Sequence, residues 1–407
     1  MYGLYWYWNS VNHQYFPFRF KFLPTITFIF TIAKWFGIPV YGGRGFLCLA
    51  VSILSMLVMI EVAAIWKVLR AIGGYPINVT DNRGVTARLS GAIYYGNAVL
   101  SLICSWKLIR TWKGLSKYWL RIERNSGIYL RPDGSIKRRL VFVSRFVAFC
   151  ACFEHMLSMM SATGFDCPPS EYFKRYILTS HGFLLQPYNY NIWVAMLIFL
   201  MSKVSTVLWN FQDLIVILIS MGLASRYHRL NLLVSRVVML ERRAKKYKNS
   251  AKLSTGVYTW RMIRRAYVKQ AELVRKVDNK LGLLIILSTL NNFYFICLQL
   301  FLGLRLSGGP IISSVYYFTS LAWLLFRACS VVLAAADVNL HSQRALITVC
   351  GCPSARYNVE IKRLEYQLIH DNVFLTGLGL FHLDRNKLLE IAASILKYEL
   401  ILLQFDQ

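Results

Sequence analysis

Seven apolar stretches, most near 20 residues long, constrain this chain more than any other feature. A helix rises 1.5 Å per residue, so about 20 apolar residues cross a hydrocarbon core of about 30 Å. The stretches fall at 45–66, 88–106, 140–162, 192–223, 281–304, 311–338 and 388–405. The fourth is longer than a bilayer needs and is expected to continue out of it. Only 16% of the 407 residues are charged and 56% are hydrophobic. That balance excludes a soluble enzyme, a disordered chain and a fibre. An outer-membrane barrel would instead alternate in short strands. The expected fold class is all-α: a polytopic membrane protein with seven transmembrane helices.

Charge gives the orientation. Lys and Arg number 47 against 19 Asp and Glu. In a soluble protein that excess would suggest nucleic acid. Here it gathers in the connections, where topology explains it and no nucleic-acid partner is needed. About 34 basic residues fall in the N-terminal segment and in the loops after spans two, four and six, against about 7 in the alternate set. The N-terminus is therefore expected to be cytosolic and the C-terminus extracellular. The sequon Asn78-Val79-Thr80 then falls in an extracellular loop, as glycosylation requires. The segment 1–44 lacks the order of a signal peptide. Its short apolar run at 25–36 lies between Pro24 and Pro39 and reads as an interfacial helix.

Chemistry-bearing motifs are sparse. Most of the nine cysteines fall inside spans and form no disulfide framework, and the seven histidines have no metal spacing. No phosphate loop, triad or carboxylate pair stands out, so no enzyme activity and no cofactor are expected. The basic connections carry apolar stripes at helical spacing. One runs through Leu230, Leu233, Val234, Val237 and Leu240. The second runs through Met262, Ile263, Ala266, Tyr267, Val274 and Val277. The third runs through Val359, Ile361, Leu364, Leu368 and Ile369. They imply either a packed intracellular domain or a subunit interface.

Ionisable groups inside spans are costly and so point to function. Glu61 and Arg145 lie near span ends and are expected to snorkel; Asp213 is expected near the inner interface. Glu154 and His155 sit in the outer half of span three. At similar depth lie Tyr94, Tyr95, Trp193, Phe295, Gln299, Tyr316, Tyr317 and Trp323. Aromatic walls with a few polar groups suit a small-molecule pocket. The last span is the least lipid-like. Helical spacing puts Glu390, Lys397, Ile401 and Gln404 on one face, and Ile391, Ser394, Tyr398, Leu402 and Phe405 on another. Such a helix must face protein or water.

The end of the chain resembles that of the insect gustatory receptors. They close their seventh span with Thr-Tyr, five mostly hydrophobic residues, then Gln-Phe. Tyr398, Gln404 and Phe405 match at that spacing, with 399–403 between them, and the stretch from Gly377 through Phe381 and Leu383 resembles the family's entry into that helix. The resemblance implies a plasma-membrane protein of sensory neurons: a ligand-gated, non-selective cation channel that binds a small-molecule tastant and assembles as a homo- or heterotetramer in lipid. The last helix would line the pore, making Glu390, Ser394, Lys397, Tyr398, Glu399, Ile401, Gln404 and Phe405 candidates. The implied layout is a cytosolic or interfacial segment 1–44 and helices one to six over 45–338. The pocket lies in their outer half, and cytosolic extensions occupy 224–280. An anchor helix falls in 339–380 and the pore helix in 381–407.

One departure is Lys397, where the family has Thr. Four lysines would repel a cation, so Lys397 is expected to pair with Glu390 or a neighbouring subunit's Glu399, to face away from the pore, or to belong to a heteromer. Glu399 hints at a sugar-sensing branch, but the short chain favours a bitter-type or divergent receptor. The rivals are an odorant-receptor-type channel and a secondary transporter, which would show repeated halves. A G-protein-coupled receptor would place its N-terminus outside.

Overall fold

A computed structural model describes residues 21–39, 43–74, 85–124, 130–246, 256–303, 311–354 and 357–405. Its helices are α1 (Phe22–Ala33), α2 (Arg44–Ile72), α3 (Val85–Arg124), α4 (Ile136–Thr163), α5 (Tyr172–Ser180), α6 (Ile192–Lys246), α7 (Val257–Gly303), α8 (Ile311–Gln343), α9 (Ala345–Cys350), α10 (Val359–His370) and α11 (Asn386–Phe405). Among the described residues the only β pairing is an isolated bridge between Thr376 and His382. Six helices, α2, α3, α4, α6, α7 and α8, are long and apolar enough to cross a membrane. The shorter α11 carries Lys387, Glu390, Lys397 and Glu399 within its 20 residues, too many charges for an unassisted span.

Burial sorts these helices. α3 is central, and α2 and α4 are peripheral. Their outward faces carry Met59, Val62, Phe142, Phe149 and Met156, all exposed as lipid-facing residues are. Inside the bilayer such faces gain nothing from avoiding water, so helix contacts there depend on close packing and hydrogen bonds.

Three helices outrun any bilayer. α6 has 55 residues and α7 has 47. α3, with 40, corrects an expectation. Residues 107–124 read as loop because basic residues dilute their hydropathy. They are helical, and Leu108, Ile109, Trp112, Leu115, Trp119 and Ile122 form a buried stripe at helical spacing. α1 is also more than interfacial. Phe22 stacks on Trp119 at 4.7 Å and Phe30 meets Trp112 edge-on at 5.2 Å. Its other face, with Phe28 and Ile32, stays exposed. Pro24 costs little in a first turn, where its missing N–H has no helical partner.

At this basic end of the bundle the three apolar stripes meet. Leu230, Val234, Val237, Ile263, Tyr267, Val274, Ile361 and Leu364 belong to one buried core within the chain. Each fully buried side chain of this kind contributes roughly 1.5–3 kcal/mol where water is the alternative. Val359 and Ile369 stay exposed. α10 begins at Asn358, whose side-chain oxygen accepts from the Glu360 and Ile361 N–H groups at 3.0 and 3.1 Å, an N-cap. The buried Glu360 carboxylate takes Arg264 at 2.8 Å and Arg363 at 3.2 Å. The hydrogen bond from Arg264 holds its carboxyl below the usual range.

A tight turn leads into α11. The Thr376 N–H and hydroxyl donate to Asp278 of α7 at 2.6 and 2.8 Å. Leu378 and Gly379 take positive φ, 51° and 78°. The turn rests on Gly282, where an added Cβ would lie 2.9 Å from the Leu378 nitrogen. The start of the last helix is thus tied to α7.

Candidate functional site

The end of the bundle opposite the basic loops holds an open cavity of about 840 Å³. α3, α4, α6, α7 and α8 wall it, and α5 with the residues after it closes one side. α5 was not expected: its nine residues sit in a connection that read as loop. It turns Tyr176 and Ile177 inward, where both are buried. Gly91 of α3 lets this segment come close, because a Cβ there would lie 2.4 Å from the Phe183 ring.

Eight of the ten pocket candidates line the cavity: Tyr94, Glu154, His155, Phe295, Gln299, Tyr316, Tyr317 and Trp323. Two do not. Tyr95 is one residue, about 100° of helical turn, from Tyr94. It is fully buried behind the wall, with its hydroxyl 3.5 Å from His181 Nδ1. Trp193 is 75% exposed at the outer end of α6. Rotation about the helix axis turns Tyr95 away, whereas Trp193 lies about 13 Å of helix before Ser202, the first α6 residue at the cavity.

Hydrogen bonds organise the wall. Gln299 Nε2 donates to Ser320 Oγ at 2.9 Å, and Ser320 Oγ donates to Glu154 Oε1 at 2.9 Å. One carboxylate oxygen is thereby engaged, and the group is fixed against the cavity. Tyr94 hydroxyl lies 2.7 Å from both the Ser202 carbonyl and Thr206 Oγ1. Lys203 of α6 bonds His155 Nε2 and donates to the Tyr176 hydroxyl at 3.2 Å. It also lies 4.2 Å from the centre of the Phe199 ring. Sequence reading overlooked Lys203, although a lysine amid an apolar run was itself a signal.

Arg327 was overlooked too, and it ties the cavity floor to the rest of the bundle. Buried on α8, it pairs through Nε with Asp213 Oδ2 at 2.7 Å. Its Nη1 donates to Asn210 at 2.8 Å and its Nη2 to Asn292 at 3.1 Å. Its guanidinium lies 4.4 Å over Trp209. Asp213 accepts from Ser288 Oγ at 2.5 Å and from Asn292 Nδ2 at 3.2 Å. Asp213 is therefore one half of a fully buried ion pair. Glu61, expected to snorkel, is half-buried against Gly96. Arg145 is exposed.

Below the floor lies a smaller apolar cavity of about 90 Å³, walled by α7, α8 and α11. Here α11 packs through Leu388, Ile391 and Ile395 against residues such as Ile296 and Leu324. Tyr398 meets Phe293 edge-on at 5.6 Å. Glu390 and Lys397 lie on the opposite, exposed face, and Ser394 lies between the two faces. Glu390 pairs with Lys387 at 2.6 Å and leaves Lys397 to solvent. The backbone helix continues through Glu399, Ile401, Gln404 and Phe405, but their side chains lie outside the described set, and so does Asn78. Among the described residues no cluster could hold a metal ion.

A profile of the family described as "Trehalose receptor" matches residues 10–407. "Gustatory receptor for sugar taste 64a" of Drosophila melanogaster is 30% identical over 80% of this chain and 71% of its own length. "Gustatory receptor 5a for trehalose" of the same species is 30% identical over 75% of this chain and 67% of its own length. The fold resembles the insect olfactory receptor OR5 from Machilis hrabei, with a TM-score of 0.67 at 12% identity, covering 95% of this chain and 98% of that one. These relatives are named for sugars, so the bitter-type expectation has no support. The chain belongs to the trehalose receptor family of insect gustatory receptors: a multi-pass plasma-membrane chemosensory receptor, not an enzyme.

Proposed function

We propose that the chain is a sugar receptor that works as a subunit of a ligand-gated cation channel, with the 840 Å³ cavity as its sugar site. The cavity lining carries this reading. A sugar presents hydroxyls around its rim and C–H groups on its faces. The wall offers matching partners: Glu154, Gln299, Asn210 and several serines for hydroxyls, and Trp209, Trp323 and Phe295 for faces. Its volume lies within the roughly 300–1,000 Å³ of small-molecule sites. Glu154 accepts, and Gln299 both donates and accepts, so vicinal hydroxyls find complementary groups. The names of the relatives point to the same ligand class.

In this reading α11 lines a pore where subunits of a tetramer meet. The support is its exposed face, which carries Glu390 and Lys397 and has no partner within the described chain. A ring of Lys397 would weaken cation entry in a homomer, because like charges at short range repel by several kcal/mol at reduced dielectric. The Lys387–Glu390 pair does not relieve it. Heteromers with threonine-bearing subunits would.

The test is whole-cell recording of the chain, alone and with a related subunit, over a panel of mono- and disaccharides including trehalose. The expected result is a saturable, sugar-evoked, non-selective cation current. Surface-expressed protein with neither current nor saturable sugar binding under either condition would overturn the reading.

A further inference from the structure

At the basic end of the bundle a second cavity, of about 590 Å³, lies between the turn before α4 and the extension of α6. Its polar lining includes Arg131, Asp133, Arg139, His228, Arg229 and Arg236. Four arginines thus surround one carboxylate. That carboxylate is already committed. Asp133 accepts from Ser135 Oγ and Ser225 Oγ, each at 2.7 Å, and from Arg139 at 2.5 Å. Burial pushes its carboxyl up, but the hydrogen bonds from Ser225 and Ser135 and the Arg139 charge outweigh this and hold it at about 2. Arg229 is also engaged, with Glu123 at 2.7 Å. Arg131 and Arg236 are exposed and have no ion-pair partner among the described residues. His228 faces His341 at 5.6 Å between ring centres. The cavity is therefore rich in donors and positive field, with its only lining carboxylate already bonded.

Its depth says more. Arg139 lies in the first turn of α4, and the lipid-facing Phe142 follows three residues later. Three residues of helix rise about 4.5 Å. Arg139 therefore sits just before the exposed apolar face of α4 begins.

We infer that this cavity binds a multiply charged phosphate ester, held between Arg131 and Arg236, at headgroup depth on the side of the membrane where the basic loops gather. Guanidinium groups present paired N–H donors that match phosphate oxygens two at a time. The turn bonded through Asp133 carries Arg131, and the long helix α6 carries Arg236. The same chemistry occurs in a phosphorylated lipid headgroup and in a free polyphosphate, and the experiment separates them. The inference does not rest on the sugar reading, and no sugar enters its test.

The full-length protein in detergent is titrated with a fluorescent short-chain phosphatidylinositol bisphosphate. Saturable binding is expected, with little displacement by short-chain phosphatidylserine at matched charge. Arg131→Gln with Arg236→Gln is expected to weaken binding roughly tenfold or more, at about 1 kcal/mol per arginine near a charged surface. Lys137→Gln with Arg138→Gln changes two exposed charges beside the cavity but outside its lining, and should leave binding within about twofold. All these side chains are exposed, so thermal melting should not change in either variant. Displacement by inositol trisphosphate alone would support a free phosphate ester as the ligand. Displacement by the short-chain lipid only would support a membrane headgroup. Absent saturable binding, equal displacement by phosphatidylserine, equal weakening in both variants, or no weakening in the first would each overturn the inference.

Discussion

The two halves of helix α6 face opposite demands. Toward its N-terminus, Ser202, Thr206, Trp209 and Asn210 border the large cavity, and Asp213 is paired just beneath it. Toward its C-terminus, beyond the apolar stretch, Leu230, Val234, Val237 and Val238 are buried in the core at the basic end. The first half holds polar groups in a membrane, where each must find a partner. The second half leaves the membrane and gains from water avoidance that the first half cannot use. Packing driven by water avoidance is thus concentrated at the basic end and polar pairing at the other, and α6 carries both through one continuous helix.

The largest effect that would break this division is loss of the buried ion pair. Arg327→Met leaves Asp213 without its countercharge, and Asp213→Leu strands Arg327. Each is expected to cost about 3–5 kcal/mol, read as loss of a monodisperse folded peak. The double substitution Asp213→Leu with Arg327→Met should recover most of that stability while altering the cavity floor. If either single variant melts like the parent, the pair does not hold the two regions together.

Next is the packed end. Leu364→Ala opens a void under α10 and is expected to cost about 3 kcal/mol in thermal or denaturant unfolding. Any protein that still folds should bind ligand in the cavity with its affinity unchanged. A parallel loss of affinity would mean that the two ends are coupled.

At the cavity itself the expectation reverses. Glu154→Gln keeps the Ser320 hydrogen bond and removes a charge. Sugar sensitivity should fall about tenfold, as for a lost charged hydrogen bond of about 1.4 kcal/mol, with little change in melting. Equal loss of stability and sensitivity would make Glu154 a packing residue rather than a ligand contact.

The smallest effect concerns Asp133. Its folded value of about 2 lies below its ordinary 3.8. A depressed carboxylate stabilises the fold above its unfolded value, and that contribution fades as pH falls through the folded value. Melting should therefore be flat in this term from pH 7 to about 4 and decline below that. Asp133→Asn should remove part of the decline, measured by melting across that range.

Most of the architecture was legible because bilayer length and helical period are written locally. The apolar stretches anticipated α2, α4, α8 and the membrane portions of α3, α6 and α7 to within a few residues. The stripes through Leu230, Ile263 and Leu364 were visible as helical faces, and only the structure shows that most of their residues meet in one core within the chain. What went unread had specific causes. Residues 107–124 hid behind their charges, α5 was too short to signal, and Lys203 and Arg327 vanished within strongly apolar runs.

The amino-acid pattern by itself determined that this chain spans a membrane as a helical bundle, how basic residues distribute between its two ends, and which family signature closes it. Those properties depend on hydropathy, period and charge along the chain. Only the tertiary structure decided that Tyr94 faces the cavity while Tyr95 turns behind it, that Asp213 meets Arg327, and that Glu390 takes Lys387 and not Lys397. Those depend on the rotation of each helix about its axis. Packing against neighbours fixes that rotation, and no local stretch of sequence records it.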